Sequence, residues 1–184
     1  LQSLKINQRV SEIWSNFSVL QFDLKKFEDS VISCNNALKL DPMNGKALNN
    51  LGNALLSLKK YNGALEAFKK SYDIDPYSFK TLNNLGNAYQ KLSLYDQAIH
   101  YLQKAIDLNN QDHELFYNIA MAYRDSGKFN KAYECFINSL KIKKDSHGSF
   151  QNLMSLSLEL GHFALFQKKL FGELARINSG FNSQ

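Results

Sequence analysis

Proline, cysteine, tryptophan and long apolar runs are all scarce in this 184-residue chain, which has two prolines, two cysteines and one tryptophan. With so few prolines and only nine scattered glycines, no stretch reads as a flexible linker between domains. Cys34 and Cys135 stand far apart, which gives neither a disulfide framework nor a C-x-x-C metal pair. Two reduced thiols in a reducing, cytoplasmic setting are expected. No apolar run reaches the roughly 18 residues that a spanning helix needs, and Leu1 to Val10 mix Lys5, Asn7, Gln8 and Arg9 with aliphatics, so neither a membrane span nor a signal peptide is expected. The chain opens at Leu1 without an initiator Met, as an excised piece would. Charge of one sign is also thin. A net charge of +5, spread evenly, falls short of the dense Lys/Arg clusters of a nucleic-acid binder. What the chain does have is 44% hydrophobic and 12% aromatic residues, enough to fold rather than stay disordered.

The chain also repeats itself. Leu38-Lys39-Leu40-Asp41-Pro42 returns 34 residues later as Tyr72-Asp73-Ile74-Asp75-Pro76, and Leu48 to Ala54 returns as Leu82 to Ala88. Inside each copy the apolar residues fall at i, i+3 or i+4, and i+7, as in Leu48, Leu51, Leu55 and Leu58, which marks one buried stripe on a helix. Short connections such as Lys59-Lys60-Tyr61, together with the Asp-Pro exits, predict an antiparallel helical hairpin per copy. One hairpin cannot bury its stripe alone, so neighbours must stack.

A 34-residue period is that of the tetratricopeptide repeat family, and the copies resemble its pattern at many points. Trp14, Leu51, Gly52, Leu85, Gly86, Tyr89, Ile119, Ala120 and Tyr123 stand at first-helix positions. Ala64, Phe68, Ala98, Leu102, Ala132 and Phe136 stand at second-helix positions, with Pro42 and Pro76 at the exits and Asn110 and Lys144 in place of later prolines. An aromatic precedes each second helix: Phe27, Tyr61, Tyr95, Phe129 and Phe163. The resemblance implies an all-α fold, a right-handed α-solenoid of helix-turn-helix tetratricopeptide repeats. Residues 1–10 would be the end of a truncated preceding repeat, because Leu4-Lys5-Ile6-Asn7 aligns with Leu38-Lys39-Leu40-Asp41. Residues 11–177 would hold five repeats, at 11–44, 45–78, 79–112, 113–146 and a degenerate 147–177, followed by a tail at 178–184. Ten helices are expected, paired at roughly 11–24 with 28–40 and at steps of 34 thereafter. Gly52, Gly86 and Ala120 should sit where paired helices nearly touch.

First helices of this family line the inner surface, which is where a ligand is expected. One position there is Asn in every copy: Asn16, Asn50, Asn84, Asn118 and Asn152. A side-chain amide both donates and accepts, so a column of them can bond an extended peptide backbone without reading its side chains. The column resembles the asparagine ladder of the O-linked N-acetylglucosamine transferase superhelix. Asn53 and Asn87 widen the strip, with Asn49, Asn83 and Tyr117 beside it. Lys46, Lys80, Lys91 and Arg124 predict a locally positive middle, flanked by Glu12, Asp23, Glu114 and Asp125, to which a peptide carboxylate would be drawn. The family's chaperone-tail carboxylate clamp is not matched: Ser15, Val19, Asn84, Asn49 and Glu114 stand where its lysine, asparagine and arginine residues belong. The competing reading is that the asparagines satisfy polar needs between neighbouring repeats.

Other signals carry no chemistry. His100, His113, His147 and His162 lack an i, i+4 partner and no thiol or carboxylate cluster completes a metal set, so solvated histidines, no metal and no cofactor are expected. Ser126-Gly127-Lys128 lacks phosphate-loop spacing, and the sequon Asn16-Phe17-Ser18 falls inside a predicted helix. The leading expectation is therefore a protein-interaction scaffold and not an enzyme, holding a protein or peptide segment, with neither nucleic acid nor membrane as partner. The alternatives are the substrate-recruiting arm of a larger enzyme, such as a glycosyltransferase, and self-association through an exposed repeat end.

Overall fold

The computed structural model describes residues 2–159 and 161, among which there are nine α-helices and no strand. The helices are α1 (Gln2–Asp23), α2 (Phe27–Leu40), α3 (Gly45–Ser57), α4 (Tyr61–Ile74), α5 (Phe79–Lys91), α6 (Tyr95–Leu108), α7 (His113–Asp125), α8 (Phe129–Ile142) and α9 (His147–Glu159). The tenth expected helix, with Phe163, Phe166 and His162, lies outside the described residues. The chain divides into two compact units, Leu1–Gln111 and Asp112–Gln184. In the first unit α1 packs on α2, α3 on α4 and α5 on α6, while α2 meets α3 and α4 meets α5. In the second, α7 packs on α8 and α8 meets α9.

Local chemistry sets the helix ends at the repeat interval. Asn44, Ser78 and Asp112 cap α3, α5 and α7, accepting from the amides of Ala47 at 2.9 Å, Thr81 at 3.3 Å and Glu114 at 2.9 Å, so each satisfies one of the first-turn donors that a helix leaves unpaired. Each hairpin turn closes with the same pair of backbone bonds. Lys60 N donates to Leu55 O at 2.8 Å and Lys59 N to Leu56 O at 2.9 Å, which places the residue after the helix in the left-handed region. That residue is Lys25, Lys59, Ser93 and then Gly127 and Gly161, with φ between 59° and 76°. The last two suit the conformation; the first three carry a Cβ into it. Exits keep one geometry whether or not proline is present: Asp41, Asp75 and Asn109 are extended, and each side chain accepts from the amide two residues on. The Asn109 carboxamide thus closes the turn that Pro42 and Pro76 support in earlier copies.

One expectation is corrected. Residues 2–10 do not form the end of a separate earlier helix, because α1 runs unbroken from Gln2 to Asp23. Asn7 aligns with Asp41, but Gln8 stands where Pro42 would end the helix, so nothing in this stretch stops helical propagation.

Close helix crossings occur where small residues were expected. A Cβ added at Gly52 would lie 2.3 Å from the Phe68 ring, and one at Gly86 would lie 2.4 Å from Leu102 Cγ. Phe68 and Leu102 are fully buried and have nowhere to move. In the second unit Ala120 and Ala132 are fully buried against Phe136, Leu153 and Leu156.

Gly86→Leu should therefore lower stability by about 1–3 kcal/mol or more through overpacking. Gly63→Ala, whose added Cβ meets only Leu55 Cδ1 at 3.4 Å, should raise it by up to about 1 kcal/mol through helix propensity. Chemical denaturation of both variants checks the pair, and an unchanged midpoint for Gly86→Leu would misplace the crossing. Ser93→Gly should add roughly 0.5–1 kcal/mol, since relief of the left-handed strain exceeds the extra entropy of glycine in the unfolded chain. Thermal melts read this directly, and a lower midpoint would show that the turn is unstrained.

Candidate peptide-binding site

Within the first unit α1 touches α3 and α3 touches α5, so these first helices lie side by side and present their polar positions together. The asparagines on this layer fall into two groups. Asn50 is half-buried, and its Nδ2 donates to Ser15 O at 3.0 Å, Ser18 Oγ at 3.1 Å and Ser15 Oγ at 3.3 Å on α1. Asn84 Nδ2 donates to Asn49 Oδ1 at 3.3 Å, while Asn49 Nδ2 donates to Ser71 Oγ at 2.9 Å and Thr81 Oγ1 at 2.7 Å. Ser71 Oγ in turn donates to Gly45 O at 3.1 Å. These amides tie one repeat to the next through polar groups that would otherwise be desolvated and unpaired. The expectation that the Asn50 and Asn84 amides face solvent in the free protein is thus corrected: both are half-buried and occupied by neighbouring repeats.

Asn53 and Asn87, one turn further along α3 and α5, are half-buried, and neither side chain bonds a described protein atom. Asn53 and Asn50 line a cleft of about 90 Å³ with Val19 and Phe22 of α1. An amide with free donors beside two apolar side chains suits a peptide backbone with a neighbouring aliphatic residue. Val19 stood out only as a departure from the carboxylate clamp and nothing in the repeat pattern marked Phe22; both enter the site because α1 packs beside α3. Asn16 is exposed on α1 and bonds no described atom.

The charged candidates are divided. Lys80 is exposed and forms no ion pair among the described residues. Lys46 lines a cleft of about 370 Å³ with Gln8, Glu12, Asp41, Asn44 and Gly45, so two carboxylates share its surroundings. In the second unit the Arg124 guanidinium pairs with Asp125 at 3.2 Å and donates to Asn152 Oδ1. Asn152 Nδ2 donates to Gly148 O at 2.8 Å. Arg124 is therefore held within its own unit. Tyr117 and Asn118 line a separate cleft of about 300 Å³ with His113, Glu114, Ser146 and Gly148. The Tyr117 ring also leans on buried Phe136, centroids 5.8 Å apart. His113 Nδ1 is buried and has no hydrogen-bond partner, which corrects the expectation of a solvated ring there; Ser139 Oγ donates to the His113 carbonyl at 2.9 Å. His100 and His147 are exposed as expected.

Both thiols are free. Burial lifts the Cys34 thiol above its ordinary range, and burial followed by the charge of Glu134 pushes Cys135 up to about 11, so both stay protonated and weakly nucleophilic at neutral pH. No group of three or more metal-ligating side chains occurs among the described residues, and no described helix is long and apolar enough to cross a membrane.

Hairpins of this length, with glycine at the crossing and an aromatic opening each second helix, define a helical-repeat protein. Tetratricopeptide repeat models match residues 45–78, 79–112 and 113–146, and the chain belongs to the tetratricopeptide repeat family. No curated protein matches the sequence. Among solved structures, MamA aligns with 95% of this chain and 96% of its own at 23% identity and a TM-score of 0.76. YrrB, described as a TPR protein with an unusual peptide-binding site, covers 80% of this chain and 76% of its own at 23% identity and 0.66. The first TPR of Spaghetti (RPAP3), bound to the HSP90 peptide SRMEEVD, covers 66% of this chain and 96% of its own at 22% identity and 0.62. At these identities the likeness establishes the fold.

Replacing Asn50 by Ala should lower stability by about 0.5–1.5 kcal/mol, because the Ser15 carbonyl and the Ser18 hydroxyl lose a donor at a half-buried junction. The same change at exposed Asn16 should leave stability unchanged or slightly higher through helix propensity. Equal midpoints for the two variants in urea unfolding would mean that Asn50 is not a strut.

Proposed function

We propose that this protein-interaction module holds an extended peptide segment of another protein along α3 and α5, with Asn53 and Asn87 bonding the peptide backbone. The observation that carries this reading is the contrast between neighbours. Asn49, Asn50 and Asn84 are engaged between repeats, whereas Asn53 and Asn87, 34 residues apart on equivalent turns, hold half-buried amides with no partner among the described residues. A polar side chain kept half-buried and unbonded costs free energy that a ligand backbone can return. Asn50 and Asn84 stay in the site as its floor, while Val19 and Phe22 offer a small apolar wall. Lys80 supplies a cation for an acidic residue of the peptide. Asn16, Lys46, Tyr117, Asn118 and Arg124 are outlying members of the same proposed surface. Peptide binding by YrrB and by the RPAP3 repeat supports the assignment of ligand class.

Peptides selected from a random display library on the intact protein provide the probe. Asn53→Ala/Asn87→Ala should weaken a selected peptide by roughly fivefold to a hundredfold, the effect of two lost bonds of about 0.5–1.5 kcal/mol each. Circular dichroism and melting should match the parent. Unchanged affinity with intact folding would move the site away from these two residues.

A further inference from the structure

Five large apolar side chains in one row on α1, Ile6, Val10, Ile13, Phe17 and Leu20, and Leu24 just past its end are left uncovered by the described chain, exposed by 37% at Val10 to 69% at Leu24. Their spacing alternates four and three residues, the a and d pattern of a two-stranded coiled coil. At about 1.5 Å per residue the seam runs roughly 27 Å. The helix has a second, different stripe facing inward, where Ser11, Ser15 and Ser18 are buried and bond α2 and α3. α1 thus carries two packing faces, of which the described fold uses one. An apolar face of this length is uncommon on a monomer.

The equivalent points on later first helices are buried by residues of mixed size: Leu85 and Leu153 correspond to Phe17, and Ala54, Ala88 and Leu156 to Leu20. The face is thus one that packs against another helix wherever it recurs, and the chemistry of its edges on α1 decides what fits it there.

We propose that the seam pairs with the same seam of a second copy of this chain, antiparallel about a two-fold axis. Self-pairing needs a self-complementary surface, and the edges of the seam supply it. Arg9, Asn16 and Asp23 flank one edge and Asn7, Trp14 and Gln21 the other. Antiparallel pairing centred between Ile13 and Phe17 sets Ile6 against Leu24, Val10 against Leu20 and Ile13 against Phe17 of the second copy. It also sets Arg9 of each copy beside Asp23 of the other, twice, with Asn16 meeting Asn16 between them. Parallel pairing would put Arg9 beside Trp14 and leave Asp23 opposite no cation of α1. Arg9 and Asp23 are both exposed and form no ion pair within the described chain, so both are available for this charge match.

Sedimentation equilibrium of the intact chain at tens of micromolar should return about 42 kDa, twice the 21.0 kDa of one copy. Ile13→Asp/Phe17→Asp should give the single-copy mass with an unchanged circular dichroism spectrum, since both residues are exposed. Arg9→Asp should weaken association roughly tenfold, and Arg9→Asp/Asp23→Arg should restore it, a comparison that stands even if the first variant folds poorly. Asn16→Cys should form an intermolecular disulfide at that residue, mapped by peptide mass. A single-copy mass for the parent, or a dimer indifferent to Ile13→Asp/Phe17→Asp in its folded form, overturns the proposal. So does a reversed pair that associates no better than Arg9→Asp alone.

Discussion

The close helix crossings of Gly52 under the Phe68 ring and Gly86 under Leu102 set the distance between the two helices of a hairpin, and the remaining packing follows from that distance. With no Cβ at the crossing, the facing side chain can lie directly on the first-helix backbone, and the hairpin excludes water without a wide side-chain layer. The stripe that remains on each hairpin is covered by its neighbour, so stability within a unit comes from nearest-neighbour interfaces repeated along the chain. A change at one crossing therefore displaces a fully buried residue of its own hairpin.

Stacking helices also buries polar atoms at each junction, and this demand explains how the asparagines are divided. Asn49 and Asn50 satisfy hydroxyls and carbonyls of adjoining repeats, in company with Ser15, Ser18, Ser71 and Thr81. Two repeat lengths after Ser71 and Thr81, Ser139 and Ser149 share a hydrogen bond at 2.8 Å, and Ser139 reaches the His113 carbonyl as Ser71 reaches that of Gly45. Alternate junctions use hydroxyl pairs, while the junction of Ala37 with Ala47 is apolar and fully buried. One turn on, the amides of Asn53 and Asn87 bond no described protein atom, and the proposed recognition positions lie a single helical turn from the struts.

Much of this was legible in the residues because it is local. The repeat length, the hairpin turns, the aromatic before each second helix and the glycine at the crossing are all periodic features, and a 3.6-residue helix converts such periodicity directly into faces. The left-handed turn residues were not legible. Lys25, Lys59 and Ser93 occupy a conformation that their identity does not advertise, and only the later Gly127 and Gly161 hint at it. The unbroken α1 was misread for the opposite reason: alignment of Asn7 with Asp41 suggested a boundary, but propagation continues unless something stops it, and Gln8 does not.

Sequence alone determined the helices, their pairing and the column of asparagines, since each depends on residues within one 34-residue copy. Which amides serve as struts and which stay free was decided by tertiary structure, because the partners of Asn50 lie 32 to 35 positions away in the chain. The same holds for the seam on α1. Its heptad spacing is written in the chain, yet the pattern of a buried core helix looks the same on paper. Its availability emerged only once α2 and α3 had packed against the opposite face and left Ile6 to Leu24 in water.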